Sequence, residues 1–489
     1  MSDDNNNADI KGEVSRGLAW VGMASSAVAG LDLIAHFIIM ATWISPEEFG
    51  TAIYALALFP VLDIATDLGL TSAVVQRDDH TPEKLSTLFW LNLIMSLILV
   101  AILVFGVGPL LAWIYKRPIV AGLLSVYAIK LVWQNVYYIP YALMKRELRF
   151  KELSVIRMLA NFAEFCGKIG FAWAGYGVWC FVAGPLCRVA VTGIGVQIVH
   201  PWRPKFVLRI REAWDWLVFG MKASAHEMLF HLYSNVDYHI VGYYFGEVAS
   251  GLYANAYYMV LEPCRFISEV VRNIAFPVFS KLKHTPKLVF DQFVTLTRMN
   301  MVVVMGFLGA VFVAAPDILY LISPKWAPAA SVARILCIVG VLRALSFVVP
   351  PLLDGTGHPG KTLIYTIVAS IIVPGVFIAS AKLLGPEYGY KSIAIGWLIG
   401  YPIAFAVLYM MAFRVLHVTA WQFVSRVGSV ALEAIAAATV SGGVYWLMQP
   451  APRIARVIAV GVTMLAVFGA LLAKVEGITP RTISDSLKS

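Results

Sequence analysis

Blocks of apolar residues follow one another along the whole chain, each long enough to hold the roughly 20 helical residues that a bilayer core requires. Short segments rich in Gly, Pro and charge separate them. Read against that punctuation, the pattern predicts helices over 14–44, 49–75, 83–115, 119–145, 151–175, 178–199, 213–245, 247–281, 287–314, 329–354, 359–383, 390–416, 423–448 and 453–475. The expected fold is therefore all-α and integral to the membrane, with about 14 transmembrane helices. The leading stretch MSDDNNNADIKGE is polar and acidic and lacks the pattern of a cleaved signal, so the first helix is expected to stay as an anchor.

Charge alternates from one connection to the next. RDDHTPEK, KRELRFK, HPWRPKFVLRIRE and SKLKHTPK fall on one side of the membrane, and SPEEFG, AGYG, FGEVAS and SPKWAP on the other. Lys and Arg crowd the first side, which marks it as cytoplasmic and places both termini there. The outer connections are short and leave little room for a catalytic domain. Between the sixth and seventh spans, RPKFVLRIRE (Arg203 to Glu212) interleaves basic and apolar residues, as expected of an elbow lying in the cytoplasmic interface. Taken as a plain linker, it divides the chain into an N-terminal six-helix lobe (1–200), a linker (201–212), a second six-helix lobe (213–416) and a C-terminal helix pair with its tail (417–489). An internal echo agrees with pseudo-repeated lobes. WVGMASS (Trp20 to Ser26) and FGMKASA (Phe219 to Ala225) are each followed by a glycine-led start, FGTAIYALAL and SGLYANAYYM.

Composition confirms the solvent. Of 489 residues, 60% are hydrophobic and 14% charged, against about 25% charged in an ordinary soluble domain. Much of the net charge of +9 belongs to the inner connections and so gives no indication of nucleic acid. All five cysteines lie in apolar runs without CxxC pairs, and they read as small core residues rather than disulfides or zinc ligands.

Ionised side chains within spans are costly, about 2.5 to 3.5 kcal/mol each on insertion scales. This chain has many. Asp32 and His36 in the first span, and Asp63 and Asp67 in the second, are four apart and so share a helix face. In the seventh span, Glu227, His231, Asn235 and His239 recur every fourth residue as one polar ridge, while Lys222, His226 and Asp237 gather on a second face. Two polar faces imply a helix that looks into water or polar partners. In the eighth span, Glu262, Arg265, Glu269 and Arg272 alternate acid and base along one side. That ladder reads either as a self-neutralising staple or as a cavity lining whose ion pairs exchange.

Further mid-span charges are Lys168, Arg188, Arg298, Arg334 and Arg343, with the acids Glu164 and Asp354. Together they suit an anionic, hydrated cargo. Two arginines can hold a diphosphate, each charge pair contributing about 4 kcal/mol at about 4 Å and an effective dielectric near 20. The E-x-x-x-H spacing of Glu227 and His231 is compatible with a metal, but without an HExxH or comparable set no metal or other cofactor is called for. Proton chemistry at histidines and buried carboxylates is the better reading.

Four segments carry a family resemblance: ISPEEFGTAIYALALFPVLDIATDLGLTSAVVQRDDHTPEKLSTLFWLNL (Ile44 to Leu93), IPYALMKRELRFKELSVIRM (Ile139 to Met158), GYGVWCFVAG (Gly175 to Gly184), and GLYANAYYMV leading to FPVFSKL (Gly251 to Leu282). Their order and spacing resemble the polysaccharide transport flippases of the multidrug/oligosaccharidyl-lipid/polysaccharide exporter superfamily. The match covers most of spans one to eight; the last six agree in number and length. The resemblance implies two six-helix lobes facing each other as a V, with a wet central cavity lined largely by helices one, two, seven and eight. It also implies that a polyprenyl-diphosphate-linked oligosaccharide repeat unit crosses from the cytoplasmic to the outer leaflet by alternating access, for a downstream polymerase and export machinery. No short motif defines the family. Asp67 with Gly69 in DLGL, and Gln76 with Arg77 in VVQR, occupy matched positions and are expected to shape a helix end.

The expected protein is thus an inner-membrane transporter, not an enzyme, serving exopolysaccharide or lipopolysaccharide assembly. Lys222, Arg265, Arg272, His231 and Asn235 are the candidates for meeting cargo; Asp32, Asp63, Asp67, Glu227, Asp237 and Glu269 are those for charge balance or a coupling proton. Membrane lipids are its surroundings and nucleic acid is not a partner. The nearest rival is a cation-coupled drug exporter of the same fold, which prefers an acidic or apolar pocket. A membrane glycosyltransferase or polysaccharide polymerase is a further rival, disfavoured by the short outer connections.

Overall fold

A backbone buried in hydrocarbon has to satisfy its own N–H and C=O groups, and a helix does so without help from a neighbour. The computed structural model describes residues 30–67, 69, 71, 74–75 and 81–476, and its regular structure is helical throughout. Packing divides the chain into two units, Met1–Gly251 and Leu252–Ser489. The first holds α1 (Gly30–Thr42), α2 (Pro46–Leu56), α3 (Phe59–Asp67), α4 (Pro82–Ile102), α5 (Gly108–Tyr115), α6 (Ile119–Trp133), α7 (Asn135–Arg146), α8 (Phe150–Trp173), α9 (Cys180–Val199) and most of the first part of α10 (Ile210–Leu282). The second holds the rest of α10, then α11 (Pro286–Ile322), α12 (Ala330–Ser346), α13 (Val349–Gly355), α14 (Pro359–Leu383), α15 (Lys391–Leu416), α16 (Ala420–Leu447) and α17 (Arg453–Leu471).

Among the described residues, nine helical stretches are long and apolar enough to cross a membrane, and ten if α6 and α7, bent by 46°, form one span. The first, fifth, seventh and eighth expected spans are helical too, but α1 is described only from Gly30, and α8 and α10 are too polar to qualify by composition. The protein is a multi-span membrane protein.

Local chemistry accounts for several boundaries. The second span starts earlier than its apolar run, because SPEE is a capping box: the Ser45 hydroxyl accepts the Glu48 N–H at 3.2 Å, and the Ser45 N–H donates to Glu48 at 2.8 Å. The fourth span bends just ahead of Pro140, whose missing N–H frees the carbonyl of Val136; Gln197 donates to that carbonyl at 2.6 Å. The ninth helix runs on to Ile322, past the expected end at 314, and Pro316 is tolerated in the same way. The carbonyl it frees, that of Phe312, accepts from Arg334 Nε at 3.0 Å. The break expected at FGEVAS is a single residue, Gly246, with φ 82° and ψ −178°, in the region that favours glycine.

The basic elbow lies as an extended strap along the start of α4. Backbone N–H groups of Lys205 and Arg209 donate to the hydroxyls of Ser86 and Thr87, both at 3.0 Å, and Lys205 pairs with Glu83 at 2.8 Å. At the DLGL helix end, Asp67 accepts the Thr71 hydroxyl at 2.7 Å and Gly69 takes φ +67°. Gln76 and Arg77 lie outside the described residues, as does WVGMASS.

The two glycine-led starts of the internal echo meet. A Cβ on Gly50 would lie 1.7 Å from the Glu247 carbonyl oxygen, and one on Gly251 would lie 1.9 Å from that of Pro46. Each glycine thus faces the carbonyl four residues before the other, a reciprocal crossing that only bare backbone permits. Gly50→Val and Gly251→Val are each expected to cost at least about 3 kcal/mol, the upper end for overpacking, read as lost membrane abundance and a lower unfolding temperature in detergent. Gly360→Ala, where an added Cβ meets nothing within 4 Å, is the control expected to leave both unchanged.

Candidate functional site

Beside the glycine crossing stands a clamp of three charges. Arg117, in the connection after α5, donates to Glu47 in the first turn of α2 at 2.8 Å and to Glu247 next to the Gly246 break. The bond to Glu247 is the largest influence on both ends: it raises the guanidinium above its ordinary value and holds the Glu247 carboxyl below the usual carboxylate range. Next to the clamp, Tyr54 stacks on Tyr115 with ring centroids 3.8 Å apart, and the Tyr115 hydroxyl lies 3.0 Å from His239 Nδ1. All three clamp side chains are 28 to 55% exposed, so each pair contributes about 0–1 kcal/mol. The clamp can exchange partners cheaply.

Two further clusters in the first unit are drier. Lys130, 1% exposed, donates to both oxygens of Asp63 at 2.7 and 2.6 Å, and the Tyr127 hydroxyl donates to the same carboxylate at 2.9 Å. Lys168 bridges Asp32 at 2.5 Å and Glu164 at 3.0 Å, while Arg188 closes on Glu164 at 3.0 Å. Two acids and two bases leave that quartet neutral. It borders a cavity of ≈ 10 Å³ lined by Leu31, Asp32, Asn161, Glu164 and Lys168, scarcely room for one water.

In the second unit the cations meet aromatic faces. Arg343, nearly buried, bonds the Tyr257 hydroxyl and lies 5.6 Å from that ring and 5.1 Å from the Trp397 ring, whose Nε1 donates to the Tyr253 hydroxyl at 3.0 Å. Arg265 is held by Glu262 through Nε at 2.9 Å and a second nitrogen at 2.8 Å. Both guanidinium groups border one cavity of ≈ 20 Å³, with Tyr257, Leu261, Glu262, Cys264 and Phe347. Two cations against one acid give it a positive balance. A volume near one water means that the walls have to part before an anion enters.

The expected site residues divide accordingly. Asp32 and Asp63 belong to different ion pairs, joined through Arg188, whose charge acts on both Glu164 and Asp63. Glu262, Arg265, Glu269 and Arg272 resolve into two i,i+3 pairs, the second at 3.5 Å. On the seventh span, Asn235 donates to the His231 carbonyl at 2.7 Å, and Asp237, fully buried, accepts from the Tyr238 N–H at 3.0 Å. Glu227 is exposed and has an interaction partner. The side chain of Lys222 lies outside the described residues. Sequence reasoning passed over Lys130, although a lysine inside AIKLVW was itself a signal, and over Arg117. Nothing in the sequence marked Tyr257 and Trp397 as partners of Arg343.

A family model described as "Polysaccharide biosynthesis protein" matches residues 39–331. The chain belongs to that family. Its expected resemblance to polysaccharide biosynthesis and transport proteins holds. Among its relatives are the teichuronic acid biosynthesis protein TuaB of Bacillus subtilis (strain 168), 28% identical over 69% of this chain and 70% of that one, and the succinoglycan biosynthesis transport protein ExoT of Rhizobium meliloti (strain 1021), 25% identical over 74% and 73%. The lipopolysaccharide biosynthesis protein WzxC of Escherichia coli (strain K12) is 23% identical over 78% and 77%. Of solved structures, the lipid II flippase MurJ in an inward closed conformation shares the fold with a TM-score of 0.72 at 14% identity, over 94% of this chain and 99% of that one. An inward-facing multidrug resistance MATE family transporter gives 0.61 at 17%, over 82% and 100%.

The buried pairs of this family member are firmer than its clamp. Removing one partner of Lys130–Asp63 leaves an uncompensated charge, a loss of about 3–5 kcal/mol. Lys130→Met and Asp63→Asn are each expected to destabilise the detergent-solubilised protein by that order, and the double variant to regain much of the loss, as measured by a double-mutant cycle of thermal unfolding.

Proposed function

We propose that this protein is a flippase that carries polyprenyl-diphosphate-linked oligosaccharide repeat units across the inner membrane by alternating access, for exopolysaccharide or lipopolysaccharide assembly. Fourteen helices, two six-helix lobes with a C-terminal pair, and cytoplasmic termini are part of this reading. The observation that carries it is the pairing of Arg265 and Arg343 at one positively balanced cavity, in a fold shared with a lipid II flippase and a family of polysaccharide biosynthesis proteins. Relatives named for lipopolysaccharide and succinoglycan assembly support the cargo class, and the short connections support transport over catalysis.

A diphosphate bears charge that two guanidinium groups match in a bidentate way, while aromatic neighbours and Glu262 hold them in place between cargoes. Cargo moves the equilibrium only if it binds the two facings unequally, so the side that closes has to be held by contacts that open readily. The Arg117 clamp fits that need at the outer end. Because Glu247 is held below its ordinary value of 4.5, its contribution is present at neutral pH and is lost only as pH falls through the lowered value. Protonation of the clamp therefore does not open it near pH 7.

Arg265→Ala, Arg272→Ala and Arg343→Ala, made singly, are expected to reduce surface polysaccharide strongly at normal membrane abundance; normal polymer from well-expressed variants removes that arginine from the mechanism. Arg117→Ala is expected to shift stability by no more than about 1 kcal/mol and yet lower polymer output, with Arg117→Lys intermediate. A drug exporter is the second reading, favoured by the MATE likeness. Deletion that changes drug resistance while polysaccharide stays intact supports it instead.

A further inference from the structure

Glu433 stands near the middle of α16 in the apolar run VALEAIAAAT, 7% exposed, and neither of its carboxyl oxygens meets a hydrogen-bond partner. The acids of the clusters described above, Asp32, Asp63, Glu164 and Glu262, each have at least one. α16 packs against α11 and α17, and its Phe423 touches Tyr409 and Phe413 of α15.

The other charged and titratable groups on those helices pair among themselves or sit in terminal turns. On α11, Asp291 takes Arg426 at 2.6 Å near one end, and Asp317 takes Arg456 at 2.7 Å and Arg453 at 3.4 Å near the other. Arg453 and Arg456 are the ionised residues of α17, and Tyr445 of α16 itself lies beside Asp317. Lys287 belongs to the first turn of α11, and Tyr320 stacks beneath Arg453 with 3.2 Å from ring centre to guanidinium. On α15 the Tyr409 hydroxyl donates to the Leu345 carbonyl at 3.1 Å, while Lys391 and Arg414 sit in its terminal turns. Arg298 of α11, which has an interaction of its own, also acts on Glu433 through its charge, without a hydrogen bond between them.

An ionised carboxylate in hydrocarbon with no donor is among the least favourable arrangements a protein can hold, and protonation is the ordinary escape. We propose that Glu433 is a proton-binding site of the transport cycle, occupied by a proton in the arrangement seen here. When α16 shifts against α11 and water reaches the carboxyl, its O–H bond breaks, the proton leaves as hydronium, and the carboxylate remaining is stabilised by Arg298. The return step takes a proton from water on the opposite side and restores the neutral acid. One proton crosses per cycle and the residue is unchanged at the end. That cargo drives the shift rests on the flippase reading; the proton site itself does not.

Full-length protein in lipid nanodiscs provides the test. At neutral pH the infrared spectrum is expected to show the carbonyl stretch of a protonated carboxyl that disappears in Glu433→Gln, a variant of equal shape and no charge; a band identical in both proteins overturns the proposal. In proteoliposomes, a fluorescent polyprenyl-diphosphate disaccharide is expected to cross faster when a pH gradient is imposed, and Glu433→Gln is expected to lose that increment while keeping gradient-free exchange. An increment equal in both proteins overturns the coupling. A probe that neither protein moves, with the infrared band still lost in the variant, sinks the flippase reading and leaves the proton site standing. Should Glu433→Gln accumulate poorly while Arg298→Gln restores it, the pair is ionised and structural, and the proposal fails.

Discussion

In hydrocarbon no water is on hand to meet an ionised side chain, so each has to be answered by another group of the protein. That requirement organises both units of this molecule. Lys130 is spent on Asp63, Lys168 on Asp32 and Glu164, Arg456 on Asp317, and carbonyls freed by Pro140 and Pro316 are taken by Gln197 and Arg334. Helices too polar to span a bilayer on their own composition, α8 above all, are tolerated because their charges are cancelled from a neighbouring helix.

Exposure then separates fasteners from moving parts. A pair such as Lys130–Asp63 is nearly sealed on the lysine side, and breaking it would strand a charge in a dry place. The Arg117 clamp is half open to solvent and interchangeable among carboxylates, yet it sits beside a backbone crossing at Gly50 and Gly251 that is as close as packing allows. Weak polar contacts thus surround a backbone crossing that leaves no room for a side chain.

The second unit treats cations differently. Arg343 leans on the rings of Tyr257 and Trp397 as well as on a hydroxyl, contacts that stabilise a guanidinium. That setting contrasts with the neutral quartet of Asp32, Glu164, Lys168 and Arg188.

Helical class, membrane location and the break at Gly246 were legible in the sequence, because each depends on residues close together in the chain: apolar run length and a glycine's freedom. The capped start at Ser45 was passed over, the span being expected only from 49, although a hydroxyl three residues from a glutamate is a local signal. The positions of ionised residues within spans were equally legible, and so were the faces they share, since helical periodicity sets both. Their partners were not. Asp32 meets Lys168 across 136 residues and Arg343 meets Tyr257 across 86, and no local pattern encodes which helix lies opposite. Tertiary packing alone decided that Glu433, unremarkable in its apolar run, is an acid left without a donor. Periodicity tells a helix which way a side chain faces; only the neighbour's backbone, placed by the rest of the fold, determines what it finds there.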